Sequence, residues 1–253
     1  GTAPAGKDVT FGSAYGTLGS ISANGYTFDG WYTAKSGGTK VESTTTVSTA
    51  SDHVLYAHWT ADTFTLKYNA GTTDTVESLP ASATCTYDSA ITLSSNSVKR
   101  TGYTFEGWSA TNGASSASWA KGATVAASTV NSWYGTAKKG GTYNIYAVWT
   151  HTKYTITYDA NGGTAISAKD FYIDSTAFNL VSTATKTGYT FNNWKVTSTG
   201  GNWTAVGTTY AGGASVATGR WGNVTLQAQY TIKSYTLKVV AGANGTVACT
   251  SHS

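Results

Sequence analysis

A stretch that first reads Gly25-Tyr26-Thr27-Phe28-Asp29-Gly30-Trp31 occurs in three versions in this chain of 253 residues, and it decides the fold. The second version runs from Gly102 to Trp108 and the third from Gly188 to Trp194. Self-similarity at a long and nearly constant period is typical of tandem modules, each of which is one small folded unit. We therefore predict an array of modules in which no single site dominates the sequence.

Each version of this stretch is predicted to form a core strand with a bulge. Tyr26 and Phe28 are two residues apart, so they point to the same face of a strand. Gly30 allows a bulge or a positive φ that re-aims Trp31. Asn193 takes this place in the third version, and asparagine tolerates the left-handed region better than most side chains. Because one large aromatic residue fills much of the core of a small module, we predict that these tryptophans are buried.

A second pattern closes each module with a strand on which Leu or Ile, then Ala, then an aromatic residue share one face. The three closing strands are predicted at Val54–Trp59, Asn144–Trp149 and Val224–Tyr230. Alternating strands open the second and third modules at Phe64–Tyr68 and Tyr154–Tyr158. The fold class is therefore mainly β, with three small modules in an elongated array joined by short, semi-rigid junctions. The predicted modules span residues 1–60, 61–150 and 151–231.

The two ends of the array depart from this pattern. Gly1-Thr2-Ala3 aligns with Gly163-Thr164-Ala165, which follows the opening strand of the third module, so the first module is expected to lack that strand. Near the other end, Tyr235 to Val240 reads as an opening strand without the rest of its module. Residues 232–253 are therefore predicted to be a lone first strand of a fourth unit or a donor strand.

Composition excludes several classes of function. Charged residues make up 11% of the chain at a net charge of +4, without a basic stripe, so nucleic acid is not an expected partner. No apolar run approaches the ~18 residues of a spanning helix, so we expect no membrane insertion within this segment. The two cysteines, Cys85 and Cys249, lie in different modules, and their spacing leaves a disulfide open. Cys85 occupies an apolar strand position, which favours a small buried side chain over a reactive thiol.

Residues that usually carry catalysis or bind metals are scattered. The histidines His53, His58, His151 and His252 show no metal-ligand spacing. Asp159 and Asp174 fall in predicted turns, where solvated carboxylates are more common than acid–base pairs. No nucleophile elbow or phosphate loop occurs, and the Gly-Gly pairs mark turns. The sequence therefore predicts a protein that is not an enzyme and has no catalytic, metal or cofactor site.

The combined pattern resembles a known bacterial module. The features that carry the resemblance are a strand followed by Asp159–Gly163, the stretch Thr101–Trp108, the Gly-Gly-Thr of 37–39 and the closing Leu55–Trp59. Over roughly residues 1–231 they resemble the Listeria–Bacteroides repeat, an internalin B-repeat-like module. The resemblance implies a β-grasp-like fold found in tandem in bacterial cell-surface and secreted proteins, often adhesins, and it brings no catalytic residues. It also implies an extracellular or cell-surface location.

The first functional hypothesis is a non-catalytic stalk or filament segment of a bacterial surface protein. Strand donation to an open sheet edge provides main-chain hydrogen bonds, and a head-to-tail contact that does not close makes a filament. In this hypothesis Tyr235, Leu237 and Val239 fill the slot next to Phe11 and Tyr26 of the next copy. A segment cut from a longer repeat protein is the alternative explanation for both ends.

Two other classes of function stay open. An adhesin module would bind a glycan or a host-surface ligand through exposed aromatic side chains outside the repeated stretch. The candidates for such a site are Trp119, Trp133, Trp203 and Trp221. The third hypothesis is an accessory domain of a larger secreted enzyme whose catalytic part lies outside this chain.

Overall fold

A computed structural model describes residues 4–246 of the chain. Its contacts divide the chain into two compact units, residues 1–150 and 151–253. The first unit contains the first two predicted modules, and the second contains the third module with the C-terminal segment. The expectation for Cys249 lies outside the described residues.

The first module is a three-stranded sheet in the order β2-β1-β3. Its strands are β1 (Tyr26–Tyr32), β2 (Lys40–Val41) and β3 (Tyr56–Ala61). Strand β1, which carries the repeated stretch, pairs antiparallel with both neighbours. Among the described residues, no strand pairs with the other edge of β3.

The second module adds a first strand, a small second sheet and a helix. Its elements are β4 (Thr63–Asn69), β5 (Ala83–Thr86), β6 (Ile91–Thr92), β7 (Tyr103–Ser109), β8 (Thr124–Val125), α1 (Ala127–Ala137) and β9 (Thr142–His151). The main sheet has the order β5-β4-β9-β7, with β4 parallel to the closing strand β9. Strands β6 and β8 form the separate antiparallel pair.

The third module repeats this plan without the helix. Its strands are β10 (Tyr154–Asp159), β11 (Lys169–Phe171), β12 (Phe178–Asn179), β13 (Tyr189–Thr199), β14 (Thr209–Tyr210), β15 (Ser215–Val216) and β16 (Val224–Ile232). The main sheet has the order β11-β10-β16-β13-β14, again with the opening strand β10 parallel to the closing strand β16. The mainly β fold class is thus confirmed, whereas the β-grasp arrangement stays a prediction.

The tryptophan of the repeated stretch is the centre of the core in two modules. Trp108 and Trp194 are 0% exposed, which confirms the prediction for both, whereas Trp31 is only half-buried. Tyr68 of the opening strand packs on Trp108 with ring centroids 4.7 Å apart, and Tyr158 packs on Trp194 at 4.9 Å. The described residues of the first module include no such strand, so Trp31 is covered less completely.

The predicted bulge is present in every version of the repeated stretch for which the structure gives the register. The pairing shifts between Phe28 and Gly30, and again between Phe191 and Asn193. Gly30 has a φ of 132°, in the region that favours glycine. Asn193 has no positive φ, so the expected left-handed conformation is wrong at this residue. The bulge therefore forms in the third module without a left-handed residue.

Helix α1 was not expected from the sequence. It buries Val130, Trp133 and Tyr134, which recur at the i, i+3, i+4 spacing of one helical face. This spacing is the signal that would have identified the helix. The segment is rich in Ser and Thr and has no acidic residue in its first turn, which weakens the usual local signals.

Candidate functional sites: a module junction and an open sheet edge

A single residue, Asp62, separates the closing strand of the first module from the opening strand of the second. Its backbone N–H donates to the carbonyl of Gly25 in the first module at 2.8 Å. Its carbonyl accepts a hydrogen bond of the same length from the N–H of Tyr87 in the second module. The backbone of the junction is therefore fixed to both modules.

The carboxylate of Asp62 fixes the junction a second time. This side chain is only 6% exposed, and it accepts a hydrogen bond from the Thr27 hydroxyl at 2.5 Å and from the Tyr134 hydroxyl at 2.7 Å. The Lys139 ammonium lies 3.5 Å from the same carboxylate. The hydrogen bond from Thr27, followed by that from Tyr134, lowers the pKa of Asp62 although its desolvation opposes the shift. The carboxylate is thus charged, buried and shared between the modules.

Aromatic rings extend the junction beyond Asp62. The ring of Tyr26 lies 5.3 Å from that of Tyr87, which lies 5.1 Å from that of Tyr134. The Tyr26 hydroxyl also donates to Asp88 at 3.0 Å. Gly25 has a φ of 80°, and a Cβ at this position would lie 2.3 Å from the Tyr87 ring. The first glycine of the repeated stretch therefore permits both the turn and this close approach.

The second candidate site is the unpaired edge of β3. Leu55 aligns with Ile145 and Leu226 in the closing strands, so strand β9 starts at the equivalent of residue 52 and β16 at the equivalent of residue 53. Strand β3 starts only at Tyr56. We call residues 52–56 the acceptor segment, because the equivalents of all five in the second module and of the last four in the third pair with the opening strand. The acceptor segment is thus the part of the closing strand that is irregular in the module for which the described residues include no opening strand.

The aromatic residue at the end of each closing-strand pattern shows the same difference between the modules. The Trp149 indole N–H donates to the carbonyl of Ala70, and the Tyr230 hydroxyl donates to that of Ala160. Both acceptors lie in the turn directly after an opening strand. Within residues 4–246 the indole N–H of Trp59, the third closing aromatic residue, has no such acceptor. The first module is therefore short of one hydrogen bond that its relatives in the chain make.

The C-terminal segment keeps its apolar side chains in solvent. Tyr235, Leu237 and Val239 are 76%, 86% and 56% exposed, and residues 233–240 form no strand within this chain. Phe11 is also exposed. Tyr26, the other predicted neighbour of a donated strand, pairs with Ala61 at the end of β3 opposite the acceptor segment. The predicted slot beside Tyr26 is therefore corrected, because that ring already belongs to the junction.

The four tryptophans proposed for glycan binding have different surroundings. Trp133 is buried in helix α1 and stacks on Tyr143 at 5.0 Å. Trp203 is buried and donates its indole N–H to the carbonyl of Gly222. The expected exposure is wrong for these two, since both fill module cores. Trp119 and Trp221 are half-buried, and a ligand for them stays a prediction.

Among the described residues, the side chains that could bind a metal or act as nucleophiles are not gathered at one place. Within the described residues, no three His, Cys, Asp or Glu side chains lie close enough together to hold a metal ion. Burial raises the pKa of the Cys85 thiol to about 11, which disfavours the nucleophilic thiolate. His151 and Asp174 form a pair at 2.6 Å on the surface.

The described part of the chain contains no helix that is long and apolar enough to cross a bilayer.

Comparison with known proteins places all three modules in one family. The model of the Listeria-Bacteroides repeat domain matches residues 1–58, 63–148 and 154–229. A protein described as a Gly-rich membrane protein, from Evansella cellulosilytica, is 25% identical over 183 residues, covering 70% of this chain and 20% of that protein. Internalin H from Listeria monocytogenes is 38% identical over 84 residues, covering 33% of this chain and 14% of internalin H. The chain thus spans a fifth or less of the length of these relatives.

Proposed function

Because the chain belongs to the Listeria-Bacteroides repeat family, whose modules are typical of bacterial surface proteins, we propose that it acts as a non-catalytic stalk segment. In this role it holds other parts of a surface protein at a defined position. A stalk needs modules that do not rotate freely about their junctions, since a flexible joint would lose the position of whatever it carries. The proposal thus depends on how neighbouring modules are joined.

The observation that carries the proposal is the junction at Asp62. Backbone hydrogen bonds, a buried carboxylate and a row of tyrosine rings all connect the first module to the second. Disordering a linker residue gains conformational entropy of roughly 1–2 kcal/mol, and the junction opposes this gain with several contacts at once. Modules one and two are therefore coupled into one body.

Nuclear magnetic relaxation of backbone amides tests this coupling. We expect strands β1 and β3 to give the same rotational correlation time as β4 and β9, because the junction allows no independent tumbling. The variant Asp62→Ala is the comparison in which the modules should begin to separate in correlation time. Two distinct correlation times in the parent chain would contradict the stalk proposal.

A second candidate function is head-to-tail self-association into a filament. The specific observations in its favour are the unpaired edge of β3 and the exposed apolar side chains of residues 235–240. An unpaired strand edge is a template for another chain, and an alternating apolar strand is the usual occupant. Glycan binding has no comparable support from the described residues.

Sedimentation velocity over a range of concentrations tests self-association in the full chain. We expect oligomers whose size increases with concentration, and we expect Leu237→Asp to shift the distribution to monomers because a charge would enter an apolar core. Thr236→Asp is the matched control, since its neighbouring position points to the opposite face of the strand. A parent chain that stays monomeric at every concentration would remove this second candidate.

A further inference from the structure

We propose that residues 235–242 of one copy bind to the acceptor segment of a second copy as a parallel strand, with Val239 opposite Leu55. This inference rests on the proposed self-association and names its partner, its edge and its register. The occupant is a second copy of this chain because the chain itself contains an exposed segment that matches the strands filling the same edge elsewhere.

The register follows from two modules independently. In the second module Leu66 pairs with Tyr143, and Tyr68 pairs with Ile145. In the third module Ile156 pairs with Val224, and Tyr158 pairs with Leu226. When these pairs are transferred to the first module by aligning the closing strands, both modules give the same four pairs. These pairs are Leu237 with His53, Lys238 with Val54, Val239 with Leu55 and Val240 with Tyr56.

The C-terminal segment also matches an opening strand in sequence. Residues 235–242 read Tyr-Thr-Leu-Lys-Val-Val-Ala-Gly, and residues 64–71 read Phe-Thr-Leu-Lys-Tyr-Asn-Ala-Gly. The side chains that β4 buries are Phe64, Leu66 and Tyr68, and their counterparts are the exposed Tyr235, Leu237 and Val239. The same alternation that is buried in module two is therefore presented to solvent near the C-terminus.

The two residues that follow the proposed donor strand also match the first module. Ala241 aligns with Ala70, whose carbonyl accepts the Trp149 indole N–H at 2.8 Å. A donated strand would bring the Ala241 carbonyl to Trp59, the closing aromatic residue that has no such acceptor within residues 4–246. Gly242 aligns with Gly71, where a Cβ would lie 2.2 Å from the Ala147 carbonyl. The C-terminal segment thus supplies both a carbonyl for the indole N–H of Trp59 and the glycine that the close approach requires.

Val239 stands where the opening strands of the second and third modules have a tyrosine, and this difference also fits the first module. The hydroxyls of Tyr68 and Tyr158 accept hydrogen bonds from the backbone N–H groups of Ser94 and Val181. The residues before Ser94 and Val181 each donate a backbone hydrogen bond to the neighbouring strand at 2.9 Å, and Tyr15 makes the same bond in the first module, so Gly16 is their equivalent. The N–H of Gly16 already donates to the Ser43 carbonyl at 2.8 Å. No hydroxyl is needed there, so an aliphatic Val239 leaves no backbone donor unpaired.

Disulfide trapping between two chains tests the register, each chain carrying one introduced cysteine beside the buried Cys85. Chains carrying Val54→Cys and Lys238→Cys, both with Cys249→Ser, are mixed under a thiol redox buffer. Val54 is exposed, and the equivalents of both positions in module two, Asn144 and Lys67, are exposed as well. The control replaces the Lys238→Cys chain by Thr236→Cys, which lies on the same strand face but two residues out of register.

We expect the 54–238 heterodimer to form at least tenfold more than the 54–236 heterodimer, because diagonal neighbours lie too far apart for an unstrained disulfide. Circular dichroism of each single variant verifies that both partners are folded. Equal yields, or a larger yield for the control, would overturn the register. If the parent chain oligomerises in sedimentation but neither pair is trapped, the acceptor segment is not the binding edge. A monomeric parent chain would instead remove the proposed self-association itself.

Discussion

The variant Asp62→Ala is expected to lower the free energy of unfolding of the first unit by about 3 kcal/mol. The substitution removes the acceptor of two hydrogen bonds and leaves the hydroxyl proton of Tyr134 without its acceptor in a buried site. Each hydrogen bond to a charged group contributes roughly 1.5–3 kcal/mol, so the loss of two such bonds accounts for the expected change. Urea denaturation followed by tryptophan fluorescence measures this difference.

Asp29→Ala is the matched control for this experiment. Asp29 also accepts a threonine hydroxyl, that of Thr60 at 2.7 Å, but this hydrogen bond is exposed to solvent. Its removal is expected to change the stability by no more than about 0.5 kcal/mol. Equal effects of the two substitutions would show that burial at the junction contributes nothing.

The pH dependence of stability checks the same carboxylate. The folded-state pKa of Asp62 is lowered from its ordinary value of 3.8, so its stabilising contribution is fully present above that value. The contribution is lost as the pH falls below 3.8 and through the lower folded-state pKa. The stability difference between the parent chain and Asp62→Asn should therefore be constant at neutral pH and shrink in acid. A difference that shrinks only in alkaline solution would contradict this assignment.

The variant Trp108→Ala is expected to destabilise the second module by about 4 kcal/mol. Its side chain is fully buried, and its ring packs against Tyr68 and Phe105 at centroid distances of 4.7 and 5.1 Å. Its indole N–H has no acceptor in the described residues, so the loss comes from packing and from the cavity left behind. Thermal unfolding by calorimetry measures the effect.

Trp31→Ala is the comparison within the same unit. Trp31 occupies the equivalent position in the first module, but it is half-buried because no opening strand within residues 4–246 covers it. We expect a cost of about 1–2 kcal/mol, since less apolar surface returns to water. A cost equal to that of Trp108→Ala would mean that the first module is as well packed as the second.

Local patterns in the sequence predicted the elements that depend on neighbouring residues. Alternation identified the opening strands, whose observed bounds of Thr63–Asn69 and Tyr154–Asp159 contain the predicted ones. The repeated stretch identified Trp108 and Trp194 as core residues. Helix α1 was missed because its apolar face is short and its polar residues favour turns as much as helices.

The junction could not be predicted in this way. Asp62 reads as one more acidic residue in a short link, and aspartate is almost never fully buried unless it is paired. Its partners Thr27 and Tyr134 lie 35 and 72 residues away along the chain, and Tyr134 belongs to the helix that the sequence did not reveal. Only the folded arrangement of both modules brings these hydroxyls to one carboxylate.

The sequence by itself determined the repeat, the mainly β class and the strands, because hydrophobic alternation is a property of adjacent residues. Tertiary structure decided which carboxylate is buried and which tryptophans remain partly exposed. These properties depend on contacts between residues far apart in the chain, and a local pattern carries no information about such contacts. The repeated stretch is therefore nearly identical in all three modules, while its tryptophan is fully buried only in the two modules whose described residues include an opening strand.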